Sequence, residues 1–161
     1  MPDQRSATME ASQHEASQHE ASAGYFDPLR SARYLMLTTF KDDGIPVSVH
    51  VHGVVDGDRA YFRAWCQSGT AQRLRHTDEV QVTACPIPGL TVGPPLDAVA
   101  RRLSGPEASR AARKLARKYP LQQRFLIPLL QRARRRQLAH YELVSYEAAA
   151  SRDVHLEPSL R

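Results

Sequence analysis

The sequence predicts an α+β fold that is mainly β, on three observations. Three β-rich runs, YLMLTTF at 34–40, PVSVHVHGVV at 46–55 and AYFRAW at 60–65, follow one another through two Gly-containing turns, KDDG and DGDR, the pattern of consecutive hairpins. A Ser-Gly loop then opens a helix within CQSGTAQRLR at 66–75. The whole chain has 161 residues, 42% of them apolar, which suits one domain of the usual ~150 residues with one core.

Residues 10–22 read EASQH, EASQH, EAS. No large apolar side chain occurs there, so ordering the repeat would cost backbone entropy and bury nothing. We expect a disordered tail over 1–24, a folded domain over 25–147 and a C-terminal tail over 148–161. FDPLRSARY reads as a short helix entering the first strand. In PVSVHVHGVV, alternation puts Val47, Val49 and Val51 on the core face and Ser48, His50 and His52 on the other. In AYFRAW, Ala60, Phe62 and Ala64 oppose Tyr61, Arg63 and Trp65. Two strands thus turn large polar or aromatic groups away from the interior, where they need a partner or a ligand, or form a solvated face.

Val80–Cys85 and Leu96–Leu103 read as further strands, and the Pro and Gly residues of PIPGLTVGPP between them predict an irregular loop. Ser104 and Glu107 form a capping-box pattern ahead of Ala108, Ala111, Ala112, Leu115 and Tyr119 at helical spacing, so a helix is expected over 106–119. A second helical stretch is expected over 121–136, kinked at Pro128, and Tyr141–Val144 reads as a closing strand.

The net charge of +5 is uneven, with acids in the first 27 residues and Lys and Arg crowded into 101–136. Such a surface favours polyanions, whether nucleic acid, anionic lipid or a phosphorylated or polycarboxylate coenzyme. Cys66 and Cys85 lack any CxxC spacing, so free thiols in a reducing cytoplasm are expected rather than a disulfide framework or zinc site. No apolar run approaches the ~20 residues that span a bilayer. His50-x-His52 puts two rings on one strand face, as metal or heme ligation requires, but no third ligand follows and no metal is expected. No Ser-His-Asp set, carboxylate pair or Walker-type loop supports hydrolysis or phosphoryl transfer.

The loop-helix segment carries the most specific signal. A Ser-Gly turn ahead of a helix presents unpaired backbone N–H groups, here beside Ser68, Gly69, Thr70, Gln72 and Arg73, either as a plain helix cap or as a phosphate cradle. The order of the three β-rich runs, SGTAQRLR at 68–75, the strand ending in Thr83, Ala84 and Cys85, and TVGP at 91–94 together resemble the F420-dependent branch of the pyridoxamine-phosphate-oxidase-like (PPOX class) split β-barrel oxidoreductases. The resemblance covers roughly 28–145. Thr70 and Gln72 stand where that family carries two lysines, and Arg63, Arg73 and Arg75 offer positive charge in their place.

The resemblance implies an FMN-binding-like split barrel with helices after the central strands, working as a homodimer with the coenzyme at the subunit interface. It implies hydride transfer between the deazaflavin F420 and a small organic substrate. Ser48, Val49, His50, Arg63, Trp65, Ser68, Gly69, Thr70, Gln72 and Arg73 are the expected coenzyme-binding residues, and His50, His52 and Tyr61 the candidate proton donors. FMN in place of F420, or a non-catalytic module binding deazaflavin, flavin or heme, are the alternatives. A nucleic-acid partner is not expected, although 101–136 would be its footprint.

Overall fold

The computed structural model describes residues 24–120 and 137–153. The EASQH repeat with the rest of the expected tail up to residue 23, and the helical stretch expected at 121–136, lie outside the described residues. The short helix expected in FDPLRSARY is a single 3-10 turn, Asp27–Leu29, ahead of β1 (Tyr34–Phe40). The chain continues through β2 (Pro46–Val51), β3 (Gly53–Asp56), β4 (Arg59–Trp65), α1 (Gly69–Arg73), β5 (Glu79–Ile87), β6 (Leu90–Arg102), α2 (Gly105–Lys118), β7 (Leu138–Val144) and α3 (Tyr146–Asp153). The expected domain boundary at 147 falls inside α3, whose Arg152 reaches Glu142 of β7.

All seven strands form one antiparallel sheet in the order β2-β1-β5-β6-β7-β4-β3. The strands at its two ends, β2 and β3, are consecutive in the chain and separated only by His52. A sheet whose opposite edges are joined by one residue must curl until they meet, and β2 accordingly contacts β4. The alternation read across 46–55 is present, with Val47 and Val49 half-buried and Val51 buried while Ser48 and His50 are exposed, but the run is two strands rather than one. Gly53 makes the corner possible. A Cβ there would lie 2.3 Å from Leu35 Cδ1 and 3.3 Å from the Tyr61 carbonyl oxygen, so only glycine lets β3 pass this close to β1 and β4.

The inward face holds the core, with Phe26, Leu29, Leu35, Leu37, Phe62, Val80, Val82 and Leu143 all buried. Phe62 stacks on Tyr141 of β7 at 5.0 Å between ring centroids. Each such side chain contributes roughly 1.5–3 kcal/mol by leaving water.

The outward face divides in two. Over β3, β4 and β7 lies α2, which buries Ala111 and Leu115 against the sheet. Tyr61 packs there with Leu103 and Ala111, so on this strand both faces are covered. The capping box is not formed: the Ser104 side chain makes no cap bond, and the Glu107 carboxylate, its other half, is drawn to Arg101 at 3.0 and 3.1 Å. Among the described residues no helix packs over the outward face of β2 and β1, where Met36, Thr38 and Phe40 are half-buried.

The expected irregular loop at PIPGLTVGPP is instead the outer part of a β5–β6 hairpin. Its ladder shifts register twice, between Val82 and Ala84 and between Ala84 and Ile87. These irregularities accommodate Pro and Gly by breaking the regular pairing that proline cannot make. Gly89 and Gly93 take positive φ values of 88° and 82°. The arm exposes Ile87, Leu90 and Val92.

Candidate functional site

Helix α1 begins at Ser68, whose side chain accepts from the Ala71 N–H at 3.2 Å. Its last residue turns back: Arg73 Nε donates to Thr39 Oγ1 at 2.7 Å and Nη2 to Thr70 Oγ1 at 3.5 Å. The guanidinium lies against Gly69, where a Cβ would stand 2.8 Å from Nη1. Gly69 therefore leaves room for the guanidinium beside the first turn. No carboxylate pairs with Arg73 among the described residues. Ser68, Gly69, Thr70 and Arg73 are thus brought together at the end of the barrel, just after half-buried Trp65, while Gln72 points to solvent. This donor set, one guanidinium with two hydroxyls and no acid, fits a phosphate ester.

The remaining expected residues are distributed over the sheet. Ser48 and His50 sit on the uncovered outward face of β2, with Ser48 Oγ 2.8 Å from Thr38 Oγ1. Val49 points the other way, into the core. His50 Nε2 accepts from the Gly89 N–H at 2.9 Å, which ties β2 to the hairpin tip and leaves the ring proton on Nδ1. Val92, within the TVGP at 91–94, is on that exposed arm.

The candidate proton donors do not share a surface. Tyr61 lies beneath α2, its hydroxyl 3.4 Å from Glu142 Oε1 and Lys114 Nζ 4.5 Å from its ring centre. His52 occupies the corner between β2 and β3, where Tyr34 and Tyr119 meet its ring edge-on at 5.3 and 4.7 Å. Burial, then the charges of Arg63, Arg33 and Lys118, hold its pKa below the ordinary value, so it is neutral near pH 7. Lys118 donates to the Ala32 and Gly53 carbonyls at 2.7 and 2.8 Å, and the Tyr119 hydroxyl lies 2.5 and 2.9 Å from the carbonyls of Arg33 and Gly53.

Arg63 is buried on the outward face of β4, opposite His140 of β7. Sequence reasoning missed His140, because nothing local reveals that the closing strand pairs with β4. It also missed Glu142, which is 2% exposed and accepts from Arg59 (2.7 Å), Arg101 (2.9 and 3.1 Å) and Arg152 (3.2 Å). Burial alone would raise this carboxyl, but the guanidinium hydrogen bonds outweigh it and hold the pKa below the usual carboxylate range. Arg101, Lys114 and Lys118, part of the basic stretch read from sequence, are thus engaged with this molecule's own groups, Lys114 with Asp56.

No family model matches the sequence, and no curated protein matches it. Solved structures do. A candidate pyridoxamine 5'-phosphate oxidase from Listeria innocua is 12% identical, with a TM-score of 0.51, over 83% of this chain and 92% of that one. The fold is a pyridoxamine-phosphate-oxidase-like split β-barrel. A heme binding protein from Mycobacterium smegmatis has the same split barrel with a TM-score of 0.56 at 15% identity, over 76% of this chain and 50% of that chain. An F420-H2 dependent reductase, FDR-A, matches at 14% identity and a TM-score of 0.50, over 69% of this chain and 93% of that one. At these identities the likeness concerns the split barrel itself. Among the described residues no helix is long and apolar enough to cross a membrane, and no group of three or more His, Cys, Asp or Glu residues gathers to hold a metal.

Proposed function

We propose that this protein is a cytoplasmic, homodimeric oxidoreductase that uses coenzyme F420 to move a hydride to or from a small organic substrate. The observation that carries the reading is the acid-free cradle of Ser68, Thr70 and Arg73 at the start of α1, placed on a split barrel like that of the F420-H2 dependent reductase. Hydride chemistry would be the coenzyme's own contribution. The chain's part is to hold it: Arg73 and Thr70 meet the phosphodiester, Trp65 offers an apolar surface, and Arg75 lends charge to the anionic tail. His50, on the exposed outward face with its proton on Nδ1, is the candidate donor best placed for a substrate arriving there. The second subunit is proposed to cover the open outward face of β2 and β1 and the apolar hairpin arm, completing the site from the other side.

A second reading, FMN binding or a non-catalytic flavin or heme module, draws support from the M. smegmatis heme binding protein of the same fold and from Thr70 and Gln72 in place of lysines. Equilibrium titration with F420, FMN and heme side by side, following coenzyme absorbance and quenching of Trp65, the chain's one tryptophan, separates them. Micromolar or tighter binding of F420 alone is expected; preference for FMN or heme would replace the first reading with the second.

A further inference from the structure

Two sheltered charges on the covered half of the sheet are treated in opposite ways. Glu142 is met by three guanidinium groups. Among the described residues, Arg63, 7% exposed, is met by none of opposite sign: its Nη1 has no hydrogen-bond partner, and no Asp or Glu bears on it, only Tyr119. A guanidinium keeps its proton throughout the range in which proteins fold, so it cannot escape burial by becoming neutral. The stretch linking α2 to β7, residues 121–136, contains no Asp or Glu, so it has no counter-ion to bring.

The surroundings of Arg63 are donors as well. His140 lies directly across the ladder. His52 has a buried Nε2 without a hydrogen-bond partner, and every charged group that bears on its ring is a cation: Arg63, Arg33 and Lys118. Lys118 is engaged with two backbone carbonyls and Arg33 lies over the Tyr34 ring at 5.5 Å. Among the described residues, what remains on the outward side of the barrel wall is the guanidinium of Arg63 and the Nε2 of His52, both short of a hydrogen-bond partner, with the His140 imidazole across the ladder. Arg73 instead reaches Thr39, on the inward side.

We propose that Arg63, His52 and His140 form a binding site for a small-molecule carboxylate, separate from the Arg73 cradle. The guanidinium offers two parallel N–H donors in the spacing of a carboxylate's oxygens. One full positive charge with two neutral imidazole donors balances a monoanion better than a phosphate dianion. The site stands on its own geometry and does not depend on which coenzyme the protein uses.

A proton should travel with the ligand. Both imidazoles titrate below their ordinary value, through burial first and Arg63's charge second; a bound carboxylate offsets that charge and favours the protonated rings, so affinity rises as pH falls. The test uses the full chain without coenzyme, titrated with acetate and, separately, inorganic phosphate, while the imidazole resonances of His52 and His140 are followed by NMR. Acetate is expected to move both saturably, and Arg63→Met to weaken the effect at least tenfold. His140→Gln, which retains a donor but cannot titrate, is expected to flatten the pH dependence of acetate binding, and this variant keeps the test decisive if Arg63→Met does not fold. Acetate leaving both resonances unmoved, binding unchanged in Arg63→Met, pH dependence unchanged in His140→Gln, or phosphate binding more tightly than acetate would each overturn the assignment.

Discussion

The outward faces of β4 and β2 begin from the same sequence pattern, an alternation that turns polar or aromatic side chains away from the core, and they end differently. On β4, Tyr61 and Arg63 are buried, with α2 packed over the strand and Glu142 gathering Arg59, Arg101 and Arg152 beside them. On β2, Ser48 and His50 are exposed, and the nearby hairpin arm shows Ile87, Leu90 and Val92 to solvent. Alternation decides which side chains leave the core; a third layer decides what becomes of them. Where the layer exists, polar groups meet partners inside the molecule and act mainly on stability, with Arg63 the exception. Where it is missing, the same kinds of group remain for a ligand or a second subunit.

The sharpest test of this contrast is Glu142→Ala, which leaves three arginines around a buried void. Removing one partner of a buried charge network costs roughly 3–5 kcal/mol, expected as a large fall in the urea midpoint; a change as small as that of a surface residue would erase the distinction between the faces. Acid attacks the same half. His52 and His140 have folded pKa values below the unfolded ~6.5, so the unfolded chain binds protons first and stability declines as pH drops below about 6.5. Glu142, depressed below the unfolded ~4.3, contributes stability above that pH and loses it as pH falls further through the folded value. Urea unfolding across this range should show two declines, and His140→Gln should shrink the upper one; a flat profile would contradict both shifts.

Gly53→Ala, at the corner where the halves meet, must displace Leu35, which is fully buried. We expect a loss of about 1–3 kcal/mol in the same assay. Arg73→Ala should weaken F420 binding at least tenfold. It also removes the bond to Thr39 and should lower stability by about 1 kcal/mol, where the sequence alone gives no reason for any loss. Smallest for the fold is Ile87→Ser on the exposed arm, expected within ~0.5 kcal/mol, with a shift from dimer toward monomer in light scattering as its visible effect.

Much of the barrel was legible because its strands are bounded by turn residues and alternate cleanly. The break at His52 was not, since alternation runs through it unchanged and only the pairing of β2 with β1 and of β3 with β4 sends the two pieces to opposite edges. The helix at 105–118 was legible from Ala111 and Leu115, but not the fate of its cap, because Arg101 competes for Glu107 across a strand end. At the site, the cluster around Arg73 could be read from the Ser-Gly start, while its anchor Thr39 lies 34 residues away. Glu142 and its arginines at 59 and 101 are 83 and 41 residues apart in sequence, and Arg63 meets His140 only through the β4–β7 ladder. Local patterns carry no record of such distances.

The strand order has a consequence for how the protein is made. The β1–β2 and β5–β6 pairings join strands linked by short turns and can form early, but the β3–β4 hairpin is bonded to the rest of the sheet through β7, with Ala60 opposite Leu143. On a ribosome, the first four strands emerge long before their closing partner, and non-local pairing of this kind is slow. Until residue 144 is free of the exit tunnel, Phe62 and its neighbours have no Tyr141 to stack on, and the nascent chain carries a half-built barrel with one unpaired β4 edge.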